Sequence, residues 1–368
     1  MLNDETFNHK PKSLVTGRRR PSSARVGIKD VATAAGVSIA TVSNALNETG
    51  RLSEATRVRV VEIAERLGYR PMLAARAMAG RGTGVLGLAL TTHSEIDDVT
   101  YTAIPYYAES ILAAIEAAHR RGYFLTVIPS ASDAATWASI GVDGVVHAEP
   151  RRHDPVRASL LARGLPLVSD GRPFDSDPSD AWVDNDHDAA MTTLLDHLRD
   201  QGATRVGLML PRHDDFYVVE AEASYRRWCR RRRQAAVVAP YEYSDRANER
   251  AAAASLLRDR RRVDAVVGIF TYSGYEALAA ARELGLGVPD DVMVTCFSED
   301  PGYATTDPSI TTMSLQPRVV SATAVDLLAD IVEATDIDNR QRLVPTVLHV
   351  RRSTSPRGRP GQSQQRPR

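Results

Sequence analysis

Residues 32–47 read ATAAGVSIATVSNALN and predict two short helices that cross at a tight turn. Ala32 and Ala35 are small enough for a close crossing, and Gly36 tolerates the left-handed backbone that ends a helix. Ser38 is a good N-cap for the second helix. The stretch is therefore typical of a helix-turn-helix, with an ordinary helical hairpin that has no DNA role as the alternative.

Three helices are predicted around this turn, at 29–35, 39–47 and 54–67. Ser53 is positioned to cap the third helix. The apolar side chains of that helix that we expect in the core are Val58, Val61, Ile63 and Leu67. Together the helices make a minimal domain, which we place at residues 26–70.

The start of the second helix is the part of this domain that could read DNA. In a helix-turn-helix this end enters the major groove, and its outward residues here are Ile39, Ala40, Ser43 and Asn44. Polar side chains near helix N-termini bind phosphate oxygens, helped by the helix dipole. The candidates for phosphate contacts are Ser38, Thr41, Asn47 and Thr56.

Residues 28–71, IKDVATAAGVSIATVSNALNETGRLSEATRVRVVEIAERLGYRP, resemble the head of the LacI/GalR family of bacterial repressors. The resemblance continues through LAARAMAGRGTGVLGLAL at 73–90 and returns in AARELGLGVPDDVMV at 280–294. It implies a hinge helix at 71–82 and a two-lobed core like the periplasmic sugar-binding proteins. It also implies a homodimer whose affinity for operator DNA is altered by a small-molecule effector in the interlobe cleft.

The resemblance assigns further DNA contacts. In the family, paired hinge helices wedge an apolar residue into the minor groove, and the matching residue here is Met78. A flexible thioether chain suits that role, with packing against the core as the alternative. Ile39 and Ala40 offer apolar contacts, for instance to a thymine methyl, and Asn44 pairs best with adenine.

From Gly84 onward, short apolar strands alternate with helices. The predicted strands are 85–90, 123–128, 143–147, 166–169, 205–210, 264–269, 292–297 and 346–350. The predicted helices are 106–120, 155–163, 187–201, 221–233, 247–260, 275–284 and 317–333. Such repeats form parallel sheets covered by helices on both faces. The fold class is therefore α/β, with a helix-turn-helix three-helix head, a hinge helix and two doubly wound lobes within 83–350.

The net charge of zero hides a basic head on an acidic body. Residues 1–82 hold 14 Lys/Arg and 7 Asp/Glu, whereas 83–350 hold 26 and 39. Residues 1–25 and 351–368 are predicted to be disordered basic tails, the latter with 6 Arg and no acid. This layout suits a head that meets a polyanion, with a solubilising tail as the alternative.

Composition points to the cytoplasm. No apolar run approaches the length of a membrane span, and the N-terminus lacks the apolar core of a signal peptide. The two cysteines, Cys229 and Cys296, cannot build a disulfide framework or a structural zinc site by themselves.

The candidate effector site departs from the family pattern. Acidic motifs that commonly hold sugar hydroxyls in the family appear here as Phe270-Thr271 and Cys296-Phe297-Ser298-Glu299. An arginine that binds effector in many members falls near Arg226 and Arg227, without a fixed alignment. The resemblance thus gives Arg226, Trp228, Phe270, Thr271, Ser298 and Glu299 as effector-binding candidates. We expect a phosphorylated, acidic or larger ligand rather than a simple neutral sugar.

Other motifs have simpler interpretations than catalysis. Gly82-x-Gly84-x-x-Gly87 precedes a strand, whereas a dinucleotide-binding motif follows one. The acidic and histidine residues at 184–188 are interpreted as helix caps rather than as metal ligands. The arginines at 226–233 are interpreted as a solvated helix face rather than a second nucleic-acid patch. We therefore expect no enzyme activity, no cofactor and no bound metal.

The sequence predicts a ligand-responsive transcriptional regulator, with repression favoured, that binds a pseudo-palindromic operator as a dimer. Two alternatives stay open. One is a regulator that has lost effector sensing, and the other is a solute-binding module or enzyme of doubly wound fold.

Overall fold

The computed structural model describes residues 26–46, 50–69, 82–90, 104–129, 139–213, 215–242, 245–258 and 263–355. The chain divides into two compact units, Met1–Ala79 and Gly80–Arg368. Asn47, Met78, the hinge helix apart from Gly82, and the tails 1–25 and 356–368 lie outside the described residues, so predictions for them stay predictions.

The first unit contains the predicted three helices: α1 (Ile28–Ala35), α2 (Ile39–Leu46) and α3 (Glu54–Arg66). Gly36 ends α1 with a φ of +62°, which is the left-handed conformation expected of it. The Ser38 hydroxyl accepts the Thr41 N–H at 3.0 Å, and the Ser53 hydroxyl accepts the Thr56 N–H at 3.2 Å. Both predicted caps are confirmed.

The core of this unit corrects the predicted face of α3. Its buried side chains are Val31, Ala32, Ala35, Val42, Ala45, Val60 and Ala64. Val58 and Leu67 are 46% and 36% exposed, so placing them in the core was wrong. Val60 and Ala64, four residues apart, form the inner stripe of α3 instead.

The second unit alternates strands and helices. The strands are β1 (Val85–Leu90), β2 (Phe124–Pro129), β3 (Gly144–Ala148), β4 (Leu167–Asp170), β5 (Ala181–Asn185), β6 (Val206–Pro211), β7 (Val237–Tyr241), β8 (Ala265–Gly268), β9 (Met293–Phe297), β10 (Thr311–Ser314), β11 (Gln341–Val344) and β12 (Val347–His349). The helices are α4 (Pro105–Arg120), α5 (Pro155–Ala162), α6 (His187–Asp200), α7 (Phe216–Arg231), α8 (Arg246–Arg258), α9 (Ser273–Glu283) and α10 (Pro317–Val332).

These strands form two sheets, each the centre of one lobe. In lobe 1 the order is β11-β5-β4-β3-β1-β2, and all neighbouring strands are parallel. In lobe 2 the order is β12-β10-β9-β8-β6-β7, where only the β10–β12 pair is antiparallel among the described strands.

Helices cover both faces of each sheet. Helices α4 and α10 pack on one face of lobe 1 and α5 on the other. Helices α6 and α7 cover one face of lobe 2, and α8 and α9 cover the other. The described chain passes between the lobes after β5, after β10 and after β11. The predicted α/β class with two doubly wound lobes is confirmed, and its cleft lies at the carboxyl ends of the strands.

The structure adds elements that the sequence prediction omitted. Strands β5, β7, β10 and β11 were not predicted, and α7 begins at residue 216 rather than 221. Residues 351–355 are ordered, so starting the disordered tail at 351 was wrong. Ser353 is fully buried, accepts the Thr311 N–H at 2.9 Å and donates to the Val294 carbonyl at 2.6 Å. This segment is held by hydrogen bonds, which an absence of large apolar side chains does not reveal.

Candidate functional site

Two helix N-termini of the three-helix unit carry paired hydroxyl groups. The Ser38 and Thr41 oxygens lie 2.9 Å apart at the start of α2, and those of Ser53 and Thr56 lie 2.8 Å apart at the start of α3. All four groups lie at the positive end of a helix dipole. Both ends can therefore bind phosphate oxygens.

The outward face of α2 carries the predicted base-reading residues. Ile39 is 44% exposed and Ala40 is exposed, whereas Ser43 and Asn44 are half-buried. The Asn44 amide lies against the turn at Gly50, where an added Cβ would come within 2.8 Å of its Nδ2 atom. The structure thus brings all four residues to one helix face, where the Asn44 amide lies beside Gly50.

The second unit has a cleft between its lobes. The space between the lining side chains is about 890 Å³, its solvent-open mouth included. The aromatic residues that border it are Tyr106, Tyr107, Phe216, Tyr217, Phe270 and Phe297. They come from both lobes, so a ligand there would contact aromatic side chains on either side.

Tyr217 is the centre of the aromatic wall on lobe 2. Its ring centroid lies 6.0 Å from Phe270 and 6.2 Å from Phe297, both in edge-on geometry. Its hydroxyl donates to the Ile269 carbonyl at 2.7 Å. Rings held in this way present a preorganised apolar surface.

The cleft also has an acidic border. The described carboxylates that line it are Glu149, Asp184, Asp215 and Glu299. Tyr107 donates its hydroxyl to Glu149 at 2.5 Å, and the Leu315 N–H donates to Glu299 at 2.7 Å. Burial raises the pKa of Glu299 above its ordinary value, although the bonds from Ser314 and Leu315 oppose this.

Arg172 places a guanidinium in the cleft that the sequence analysis missed. It lies over the Trp182 ring at 4.5 Å and over the Phe216 ring at 5.4 Å. Phe216 also contacts Phe174, with ring centroids 5.5 Å apart. Because Arg172 and Phe174 belong to lobe 1 and Phe216 to lobe 2, this stack joins the two lobes.

A histidine–aspartate pair joins the lobes beside this stack. His187 Nε2 lies 3.0 Å from Asp184 Oδ1. Burial alone would raise the pKa of Asp184, but the charge and hydrogen bond of His187, with the N–H groups of Asn185 and Arg172, lower it overall. Asp184 is therefore ionised at neutral pH.

Of the neighbouring acidic residues, Asp186 is a helix cap, as interpreted from the sequence, and Asp188 forms an ion pair. Asp186 caps α6 by accepting the Ala189 N–H at 2.9 Å. Asp188 binds Arg227 on α7 at 2.8 Å. Within the described ranges, no group of three potential ligands could hold a metal ion, and no helix could cross a membrane.

Comparisons with known proteins match parts of both units to known domain families. Residues 27–72 match the family described as bacterial regulatory proteins, lacI family, and residues 195–354 match a periplasmic binding protein-like domain. The chain is 31% identical over 359 residues to the HTH-type transcriptional regulator reg1 of Streptomyces lividans, covering 90% of this chain and 99% of that protein. This chain belongs to the lacI family. It is a DNA-binding transcriptional regulator, as the sequence predicted.

Solved structures of lacI-family proteins share the fold. A complex of the transcriptional regulator CelR with cellobiose is 25% identical, with a TM-score of 0.67 and coverage of 89% of this chain and all of that one. A lac repressor dimer bound to operator and an anti-inducer is 20% identical, with a TM-score of 0.73 and coverage of 89% and 99%. The latter supports the shared fold alone.

The predicted effector residues of this lacI-family protein divide into two groups. Phe270, Thr271, Ser298 and Glu299 all border the cleft. Arg226 and Trp228 lie elsewhere, so their assignment to the site is corrected. Arg226 is exposed and pairs with Glu222 at 2.6 Å, and Trp228 lies in the core of lobe 2, where its indole donates to Asp196 at 2.8 Å.

The orientation of α7 explains this correction. Only its first turn, with Phe216 and Tyr217, reaches the cleft. Arg227 does not serve as the expected anchor either, because it pairs with Asp188 and Glu220.

Proposed function

We propose that this protein is a ligand-responsive repressor that binds a pseudo-palindromic operator as a homodimer. The exposed start of α2, with Ile39 and Ala40 beside the Ser38–Thr41 hydroxyl pair, is the observation that carries the DNA-binding role. Two such heads related by a twofold axis would fit two half-sites in successive major grooves. The lac repressor dimer that was solved on operator DNA has the same fold.

The chemistry of the cleft favours an uncharged effector with several hydroxyl groups. Aromatic side chains on both lobes can stack on the apolar faces of sugar rings, and carboxylates can accept hydrogen bonds from hydroxyls. A disaccharide would contact both lobes, which supports the expectation of a ligand larger than a monosaccharide. The relative CelR was solved with cellobiose.

The same chemistry argues against the phosphorylated or acidic ligand expected from the sequence. Arg226 and Arg227, its supposed anchors, pair with acidic residues away from the cleft. Four described carboxylates border the site, against Arg172 and His187. Repulsion in a partly buried site opposes an anion.

A selection experiment with the full-length protein tests this function. DNA fragments captured from a random pool should converge on a pseudo-palindrome, and binding should follow the concentration of dimer. Cellobiose or maltose, added to the complex, should then change the operator affinity. Recovery of asymmetric or unrelated fragments would contradict the dimeric reading of DNA.

The alternative of a regulator that has lost effector sensing makes a different prediction. Calorimetric titration with a panel of neutral disaccharides would then give no binding heat, while the selected operator would still bind. Because the two measurements are separate, the DNA-binding proposal and the effector proposal can fail independently.

A further inference from the structure

Two side-chain atoms at the border of the cleft, besides Arg172 Nε, have no hydrogen-bond partner among the described residues. They are His187 Nδ1 and Asp215 Oδ1, and both atoms are shielded from solvent. Their residues are 8% and 7% exposed and line the same cleft. Since an unpaired buried polar atom is unfavourable, such atoms in a native protein need an explanation.

In each residue the other polar atom is held in place. His187 Nε2 lies 3.0 Å from Asp184 Oδ1, and Asp215 Oδ2 lies 2.7 Å from His213 Nδ1. The His187 ring also lies 5.2 Å from the Tyr217 ring. One side of each group is therefore fixed by the protein, and the unpartnered atom has a defined position.

Both residues lie at the N-terminal ends of helices. His187 is the first residue of α6, and Asp215 immediately precedes α7 without making a side-chain cap bond. The two helices pack side by side on one face of lobe 2. Helix capping therefore does not account for the Asp215 carboxylate.

The hydrogen-bonding capacity of both atoms follows from their neighbours. The Asp184 carboxylate accepts hydrogen bonds, so the His187 nitrogen that faces it, Nε2, carries the hydrogen, and in the neutral form of the ring Nδ1 has a lone pair. Asp215 Oδ1 is a carboxylate oxygen, which accepts hydrogen bonds. A ligand that satisfies both atoms must bring two donors.

We propose that His187 Nδ1 and Asp215 Oδ1 form a subsite that accepts hydrogen bonds from two hydroxyl groups of the effector. This proposal rests on the proposed effector cleft and names the residues that select its ligand. The subsite favours free hydroxyls and disfavours ethers or carboxylates at that end of the ligand. Because His187 is bonded to Asp184 of lobe 1, a ligand held at Nδ1 is also linked to the opposite lobe.

Two substitutions and one control test the subsite in the full-length protein. Asp215→Asn keeps the shape of the side chain but removes its charge and leaves one acceptor oxygen where the carboxylate has two. In His187→Gln the amide nitrogen can keep the bond to Asp184, but the Nδ1 acceptor is lost. Asp186→Asn is the matched control, because Asp186 is exposed, lies outside the cleft lining, and caps α6 in a way that asparagine can reproduce.

Calorimetric titration with cellobiose and maltose provides the first measurement. Asp215→Asn should weaken binding about 10- to 100-fold and His187→Gln about 3- to 10-fold, because a bond to a charged group is the stronger one. Asp186→Asn should bind as the unchanged protein does. Equal affinity in all four proteins would overturn the subsite while the effector cleft stands.

Thermal unfolding without ligand provides a second measurement that does not depend on the sugar. If Nδ1 is reserved for ligand, His187→Gln should unfold within a degree or two of the unchanged protein. A loss of several degrees would show that Nδ1 has a structural partner, and would overturn the subsite. If no disaccharide binds, the proposed ligand class is wrong. The unfolding temperature of His187→Gln then tests by itself whether Nδ1 lacks a structural partner.

Discussion

The three-helix head at residues 26–69 and the cleft between the two lobes differ in where their polar side chains come from. In the head, Ser38 and Thr41 lie three residues apart, remain near solvent and stabilise the helix that they serve. In the cleft, Glu149 and Glu299 come from distant parts of the chain and border the same space from different lobes. The polar pair in the head therefore depends only on residues within one helical turn. The cleft, in contrast, depends on the packing of the whole second unit.

This contrast predicts that the two functions are separable. A protein truncated to residues 80–368 should lose operator affinity by at least about 1000-fold, because specific and phosphate contacts both disappear. Its affinity for a bound disaccharide should change by less than about threefold, since the lobes form their own compact unit. Fluorescence anisotropy with operator DNA and calorimetry with ligand measure the two affinities.

Either of two results would contradict this separation of the two functions. Operator binding by residues 80–368 would mean that DNA contacts lie outside the head. A large loss of ligand affinity would mean that the cleft needs the head for its structure.

Local and long-range features also differed in how well the sequence revealed them. The caps Ser38 and Ser53 and the turn at Gly36 were predicted correctly, because each depends on residues within one helical turn. The error at Val58 arose because the inner stripe of α3 is set by packing against α1 and α2. Local rules cannot distinguish neighbouring valines on one helix.

To predict which residues line the cleft, one must know which strand ends lie next to each other. Thr271 and Ser298 were found because the family resemblance aligned them with known positions after two strands. Arg172 and Asp215 were missed, although each follows a strand, β4 and β6 respectively, whose carboxyl end faces the cleft. Applying the rule that ligands bind beyond the carboxyl ends of parallel strands would have named both.

Substitution of two arginines sharpens the assignment of the cleft. Arg172→Ala should weaken disaccharide binding about tenfold, because it removes the cation stacked on Phe216 and a hydrogen-bond donor at the site. Arg226→Ala should leave binding unchanged, since Arg226 lies on the exposed side of α7 with Glu222. Calorimetry measures the disaccharide affinity of both variants. If only Arg226→Ala weakened binding tenfold, the sequence-based assignment of Arg226 to the effector site would be restored.

A buried carboxyl behind the cleft should lower the stability of the second unit at neutral pH. Asp170 accepts a hydrogen bond from Ser321 at 2.5 Å, and burial raises its pKa to about 7. The unfolded chain releases this proton at a lower pH than the folded one. Stability is therefore lost as the pH rises from about 4 to 7, and the loss stays constant above that window.

Asp170→Asn removes this titration and keeps an acceptor for Ser321. We expect the variant to be about 2 kcal/mol more stable than the unchanged protein at pH 8, with a smaller difference at pH 5. Urea unfolding at the two pH values measures this, with Asp186→Asn as control. A variant less stable at pH 8 would show that the carboxylate is favourably paired.

The smallest expected effect is a loss of stability in the head. Ser38→Ala removes the oxygen that accepts the Thr41 N–H, so the start of α2 loses its cap. The head should be destabilised by about 1 kcal/mol, since replacing an N-cap serine by alanine typically has that effect. Amide hydrogen exchange of α2 measures the loss, and exchange in lobe 1 should not change.

Ser53→Ala, which uncaps α3 in the same way, is the matched variant. Because α2 carries Ile39 and Ala40, Ser38→Ala should also weaken operator binding more than Ser53→Ala does. Equal losses of DNA affinity would show that both helix starts contact phosphate alike, and that α2 has no special role in reading the bases.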